Sequence, residues 1–285
     1  MKPNALAAAI TLTALVGCGG ESDTATLTLG LTDAPVNGVT AVNLHINSIE
    51  LKKNSDTFSF EVNQTVNLLD LQGSTSLNLV DQATLPSGQY QYIRVDVDQE
   101  QSSLTLEDGS EGVEFNIPSA AQSGLKLNSP FVLSANGNAN FTLDFDVAKS
   151  LSLNNKGYTM RPTIRIVDNS EVGHITGTVA GELASCEETL SVYAFEGNGA
   201  EFQEITEAGG PITSAVVALN EDSLAYEFEL GFLEAGEYRL DLICATDDPT
   251  QDDGISSLQN VTVSVSADDI TTTEFAAAQI EDVAM

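Results

Sequence analysis

The stretch FTLDFDV, Phe141–Val147, decides the fold. Phe141, Leu143, Phe145 and Val147 stand at every second position, with Thr142, Asp144 and Asp146 between them. Successive side chains of a strand point to opposite faces. This spacing therefore gives one apolar and one polar face, whereas a helix would scatter the same residues around its girth.

The same period recurs outward from this point. Upstream it aligns Leu27, Leu29 and Leu31 in TLTLGLT, and Val42, Leu44 and Ile46 in VNLHI. It also aligns Phe58, Phe60 and Val62 in FSFEV, and Ile93, Val95 and Val97 in YIRVDVD. Downstream it aligns Ile164 with Ile166, Ile175 with Val179, and Leu190 with Val192 and Ala194. Val261, Val263 and Val265 continue the series. The run LAYEFELGFLEAGEYRLDLICA reads as two strands joined through LEAGE. Tyr226, Phe228 and Leu230 face inward on the first, and Tyr238, Leu240, Leu242 and Cys244 on the second. Turn phrases such as APVNG, LPSGQ, EDGS, SANGN and NNKG punctuate the runs. Many short alternating strands predict an all-β chain of two antiparallel β-sandwich domains.

Charge marks the boundary between them. The 285 residues hold 10 Lys+Arg against 42 Asp+Glu, a net charge of −32. A nucleic-acid partner is excluded, because that needs a basic footprint, and anionic lipid surfaces repel such a chain. From Glu171 onward Arg239 is the only Lys or Arg, against 24 acids. This shift predicts an N-terminal sandwich over 26–170 and an acidic one over 171–285. The acidity itself reads as solvation in a salty habitat, or as a cation-binding surface.

The first residues carry a different signal. Lys2 precedes an apolar span, Ala5 to Val16, too short for a bilayer-crossing helix of about 20 residues. Its proportions are those of a signal peptide. Leu15-Val16-Gly17-Cys18 resembles the bacterial lipobox, which implies a signal over 1–17, cleavage before Cys18 and acylation of that residue. Each buried methylene contributes about 0.8 kcal/mol, so several chains, palmitate among them, anchor firmly. Gly19, where Asp would retain a lipoprotein at the inner membrane, implies the outer membrane. Residues 18–25 form a short tether. The remaining cysteines, Cys186 and Cys244, predict a disulfide in an oxidising compartment, the alternative being two buried thiols.

Chemistry-bearing patterns are few. His45 and His174 are the only histidines. His45 is expected to point away from the core and His174 to lie at the surface between domains. Neither belongs to a spaced pair of zinc ligands. Neither a Gly-x-Ser-x-Gly elbow nor a phosphate loop occurs. No enzyme is expected, although a site built from carboxylates alone is left open. Tyr92, Arg94, Asp96 and Asp98 share one strand face, Asp144 and Asp146 another, and Arg161 and Arg165 a third. On neighbouring strands these would form cross-strand ion pairs. The sharper reading is an oxygen-only calcium site drawn from Asp33, Asp96, Asp98, Asp144 and Asp146. No other cofactor is expected. The loop DDPTQDDG, Asp247–Gly254, lacks the calcium-loop spacing and reads as solvated or as a weak cation site. Tyr90 and Tyr92 share a parity and could stack a sugar, or pack under a loop; the absence of Trp weakens the first option.

Several phrases together carry a family resemblance. They are TDAPVNGV (Thr32–Val39), VNLLDL (Val66–Leu71), LPSGQYQYIRVDV (Leu85–Val97), DFDVAKS (Asp144–Ser150) and RPTIRIV (Arg161–Val167). Residues 25–170 thereby resemble bacterial lipoproteins of domain-of-unknown-function family 4382, which implies a relative but no reaction. Through ITGTV (Ile175–Val179) and FLEAGEYRLDL (Phe232–Leu242) the second half is similar to carboxypeptidase-regulatory and transthyretin-like sandwiches, grouped as carbohydrate-binding-like folds. Such sandwiches serve as stalks and adhesion modules, and some bind sugars. The expectation is a lipid-anchored envelope protein that binds or adheres without catalysis, to a glycan in one reading. The other reading is a spacer or assembly partner of envelope proteins.

Overall fold

A computed structural model describes residues 23–35, 38–118, 124–205, 209–247 and 252–277. The described chain is almost entirely strand. The first half contains β1 (Thr24–Ala34), β2 (Val39–Lys53), β3 (Asp56–Asn67), β4 (Leu77–Pro86), β5 (Gly88–Tyr90), β6 (Tyr92–Leu106), β7 (Phe115–Asn116), β8 (Leu125–Leu127), β9 (Phe131–Leu133), β10 (Asn138–Asp146), β11 (Leu151–Asn154), β12 (Gly157–Met160) and β13 (Thr163–Asp168). A one-turn helix, α1 (Val147–Ser150), follows β10. The second half contains β14 (Val172–Val179), β15 (Leu190–Glu196), β16 (Thr213–Val216), β17 (Ala218–Asn220), β18 (Ala225–Glu234), β19 (Gly236–Cys244), β20 (Gln259–Val265) and β21 (Ile270–Phe275).

Each half is built on two four-stranded sheets, to which the first half adds the small sheets β11-β12-β7 and β5-β9. The first has the orders β13-β10-β1-β4 and β3-β2-β6-β8, and the second β17-β18-β14-β21 and β16-β15-β19-β20. The alternating residues fill the space between. Leu27, Leu29, Leu31, Phe141, Leu143 and Phe145 from one sheet share a core with Val42, Leu44, Ile46, Ile93, Val95 and Val97 from the other. Ile175, Val192, Phe228, Leu240 and Phe275 belong to a separate second core. Phe58, Phe60 and Val62 are only half-buried against the first core.

Strand pairing is mostly antiparallel, apart from the short parallel pair β7–β12 and one exception repeated in both halves. The leading strand of each half pairs in parallel with a late one: β1 with β10, and β14 with β21. Alternation fixes which face is buried but not strand direction, so this detail lies outside the sequence pattern.

Register is broken where a bulge intervenes. In β2 the pairing shifts between Ile46 and Ser48, so Val42, Leu44 and Ile46 are followed inward by Ile49 and Leu51. His45 lies opposite that apolar set, as the sequence predicted, but is not the surface histidine expected there: it is 7% exposed, with Nδ1 2.9 Å from Thr65 Oγ1.

Both halves turn the same corner. In LPSGQY the Tyr90 hydroxyl donates to Pro86 O at 2.9 Å, and in LEAGEY the Tyr238 hydroxyl donates to Glu234 O at 2.8 Å. Leu85 and Leu233 are buried beside them. This is the tyrosine corner of β-sandwiches, in which a buried phenol pins the backbone four residues upstream. It corrects the reading of Tyr90 as a ligand platform. Tyr90 is fully buried and stacks on Phe131, its ring centroid 5.1 Å away. The strand breaks at Gln91, whose N–H donates to Lys52 O, so parity does not carry from Tyr90 to Tyr92. Tyr92 is half-buried, with Lys126 Nζ 4.0 Å above its ring.

Candidate functional site

Part of the polar set that the sequence singled out converges where the two halves meet. Only Asn169, Ser170 and Glu171 separate β13 from β14. Thr32 of TDAP donates its hydroxyl to Leu71 O at 2.7 Å and Thr75 O at 2.8 Å, fixing the turn that carries Gly73. Asp33 Oδ1 accepts the Val147 amide at 3.1 Å, at the start of α1. Asp146 caps the same helix through Lys149 N at 2.9 Å and pairs with Lys149 Nζ at 2.9 Å. Lys149 Nζ also donates to Pro211 O of the second half. Thus TDAP, DFDVAKS and RPTIRIV meet at one end of the first sandwich.

Arg165 spans the joint. Its guanidinium contacts Asp144 Oδ2 at 2.6 Å across the β10–β13 ladder, the cross-strand pair that the alternation predicted. It also donates to Phe232 O at 3.1 Å. Phe232 has φ +54°, outside the usual range for an aromatic residue. It leaves the second core and packs on Val167 and Val172 in a small apolar cluster of the joint. Below it the backbones approach closely: a Cβ on Gly231 would lie 1.9 Å from Gly73 O. Glycine is therefore required at position 231 by contact and at Gly73 by its φ of +65°.

Electrostatically the joint is self-contained. Burial pushes the Asp33 carboxyl well above the usual carboxylate range, and Asp144 and Asp146 push the same way against the Val147 amide. Asp33 Oδ2 is buried without a hydrogen-bond partner. Burial also raises Asp144, opposed by Arg165. The proposed calcium set is divided. Asp33, Asp144 and Asp146 lie at the ends of paired β1 and β10, whereas Asp96 and Asp98 lie on β6 of the facing sheet. Asp96 accepts from Asn47 Nδ2 at 3.1 Å, and Asp98 from Gln101 Nε2 at 2.7 Å. Arg161 is exposed, and Arg94 pairs with Glu50 at 2.9 Å.

Two clefts open at the joint. A groove of about 840 Å³ follows the outer face of β14, β18 and β21 and is lined by Thr176, Thr178, Glu227, Glu229, Thr272 and Glu274. Its lining mixes these hydroxyls and carboxylates with apolar Pro35, Ala215, Val216 and Phe228, so it offers a ligand both hydrogen bonds and apolar contact. A second cleft of about 220 Å³ lies between Leu151, Leu153 and Tyr158 of the first half and Ile205, Val216 and Asp247 of the second.

His174, expected at the surface, is half-buried at the joint. Its Nδ1 accepts the Phe232 amide at 3.3 Å. Cys186 and Cys244 form a disulfide with Cα atoms 5.7 Å apart. Cys18 lies outside the described residues. Sequence reasoning missed the dry outer face of β15 and β19. Tyr193, Phe195 and Ile243 are buried there beneath Phe202, Ile205 and Ile255. The signal was present: LSVYAF is a nearly unbroken apolar run, the mark of a strand covered on both faces.

Residues 24–162 match the family model described as Domain of unknown function (DUF4382), in agreement with the resemblance read from the first half. No curated protein matches the chain. Among solved structures the chain is similar to the Bacillus anthracis TIE protein at 10% identity and TM-score 0.21, covering 88% of this chain and 33% of that one. It is also similar to GBS52, the minor pilin of Streptococcus agalactiae, at 10% identity and TM-score 0.20, covering 87% of this chain and 94% of that one. A streptococcal ancillary pilin follows at 12% identity and TM-score 0.21, covering 89% and 62%. The chain thus spans about a third of the length of the TIE protein. Likenesses at these TM-scores carry no argument for function.

Proposed function

We propose that this chain is a lipid-anchored protein of the outer membrane. In this reading it works without catalysis, as a stiff two-part module that presents its sheet faces and joint groove to a glycan or to another envelope protein. The joint carries this reading. Arg165, Lys149 and the Gly73–Gly231 contact tie the halves at three points around a linker of three residues. A protein that needed its halves to move on one another would gain nothing from such ties. The groove, rather than Tyr90, is where this reading seats a glycan. Cys18 would hold the assembly at the membrane, and its acylation is part of the proposal.

The test is made on the native lipoprotein. Labelled palmitate should enter the wild type and not Cys18→Ser. A glycan array and crosslinking from intact membranes, run in parallel, should return one ligand class or one partner. Binding should weaken at least tenfold in a variant carrying Thr176→Lys with Thr272→Lys in the groove. Turnover of a substrate by the purified chain, or palmitate in Cys18→Ser, would overturn the reading.

A further inference from the structure

The lid over β15 and β19 brings together three carboxylates that the sequence keeps apart. Oxygens of Glu204, Asp247 and Asp253 all lie within 4.8 Å of one another. Glu204 and Asp247 are each 5% exposed, while Asp253 is exposed. The arrangement is held by backbone amides and one phenol. Glu204 Oε1 accepts the Ile255 amide at 2.6 Å and Oε2 the Asp253 amide at 2.8 Å. Asp247 Oδ2 accepts the Tyr193 hydroxyl at 2.9 Å and the Ile205 amide at 3.2 Å. The other oxygen, Asp247 Oδ1, is buried and has no hydrogen-bond partner.

This is a costly arrangement for a bare protein. Three carboxylates whose oxygens stand this close repel one another. The second half has a single Lys or Arg to compensate them, and it is engaged elsewhere. Arg239 pairs with the fully buried Asp241 at 2.7 Å and donates to Ala200 O at 2.8 Å. What remains is a cluster of hard oxygen donors, one of whose buried oxygens, Asp247 Oδ1, lacks a hydrogen-bond partner.

The geometry points to a divalent-cation site, calcium in kind, held by Glu204, Asp247 and Asp253, with the unpartnered Asp247 Oδ1 available to it as a ligand. Calcium binds oxygen at about 2.3–2.6 Å, so oxygens on opposite sides of one ion stand up to about 5 Å apart, which accommodates the observed spread. Its irregular shell tolerates ligands from three separate segments, with waters completing it. Thr246 and Asp247 line the 220 Å³ cleft, which gives an ion a way in. Bound there, it would fasten the segments around Glu204 and Asp253 onto the sheet. The site shares no residue with the carboxylates of the joint.

The experiment uses the mature chain, stripped with chelator and titrated calorimetrically with calcium chloride. One saturable site per chain is expected, with a calcium-dependent rise in Tm. Asp253→Asn alters an exposed side chain, so it should leave the circular dichroism spectrum unchanged and weaken binding at least tenfold. Asp144→Asn combined with Asp146→Asn, at the joint, should leave the affinity within twofold of wild type. Three results would overturn the assignment: no saturable heat into the millimolar range, many weak sites insensitive to Asp253→Asn, or loss of binding in the joint variant alone.

Discussion

His174 shows how much one side chain can couple to its surroundings. Its Nδ1 must be unprotonated to accept the Phe232 amide, and its ring lies edge-on to Phe232 with centroids 5.2 Å apart. Burial lowers its pKa below the ordinary histidine value, while Glu229 pulls the other way. The unfolded chain therefore takes up this proton first as pH falls through about 6.5. A base with a depressed native pKa gives stability that is present above the unfolded value and lost as pH falls through the folded one. Asp33 has the opposite sign. Its raised native pKa gives stability that is present at low pH and lost as pH rises through the folded value. The histidine contribution must therefore be read as a difference. The urea midpoint of wild type minus that of His174→Gln should fall between pH 7.5 and pH 5. A difference that stays flat over this range would show that His174 remains neutral in both states or is not coupled to folding. The sequence placed His174 between the domains but could not tell that a positive-φ phenylalanine would reach back to it.

At the scale of single elements, the most informative feature is the corner repeated in β5 and β19. Each phenol donates to a carbonyl four residues upstream, and each is buried. Removing one hydroxyl leaves a carbonyl short of a partner, at a cost of about 1–2 kcal/mol. Tyr90→Phe and Tyr238→Phe should each lower the unfolding free energy by that amount, read from the denaturant midpoint and slope. Because the cores are separate, Tyr90→Phe should destabilise the first half and Tyr238→Phe the second, as read by hydrogen exchange of β1 and β14. Most of the strand faces were legible in alternation because burial follows period two wherever one face is wet. Legibility ends where that condition fails. The bulge in β2 resets parity, the break at Gln91 separates Tyr90 from Tyr92, and the covered face of β15 hides Tyr193. The carboxylate cluster was half legible. DDPTQDDG stood out, but its partner Glu204 comes from a segment some forty residues away that only the lid brings near. The disulfide needed only counting, once Cys18 was set aside for lipid.

At the scale of the whole molecule the question is whether the two sandwiches move as one body. A linker of three residues restricts but does not abolish hinge motion. The side-chain ties at Arg165 and Lys149 decide the matter. Arg165 reaches Phe232 O of the second half with a guanidinium that Asp144, 6% exposed, holds in place from within the first. Breaking such a pair from one side costs about 3 kcal/mol. That cost falls on the first sandwich, since Asp144 and Arg165 bridge β10 and β13, and the tie between the halves is the bond to Phe232 O alone. Gly231→Ala isolates the joint instead. Its Cβ would strike the Gly73 backbone of the other half, and backbone cannot move aside as a flexible side chain can. Gly231→Ala should therefore leave both cores folded while prising the halves apart. Small-angle scattering should show a larger maximum dimension and a broader distance distribution, and limited proteolysis should cut near Asn169–Glu171, where the wild type resists. If Gly231→Ala scatters like wild type and is cut no faster, the halves are not held by this contact. The stiff-module reading would then rest on Arg165 and Lys149 alone, with the same two measurements on Arg165→Ala to decide it.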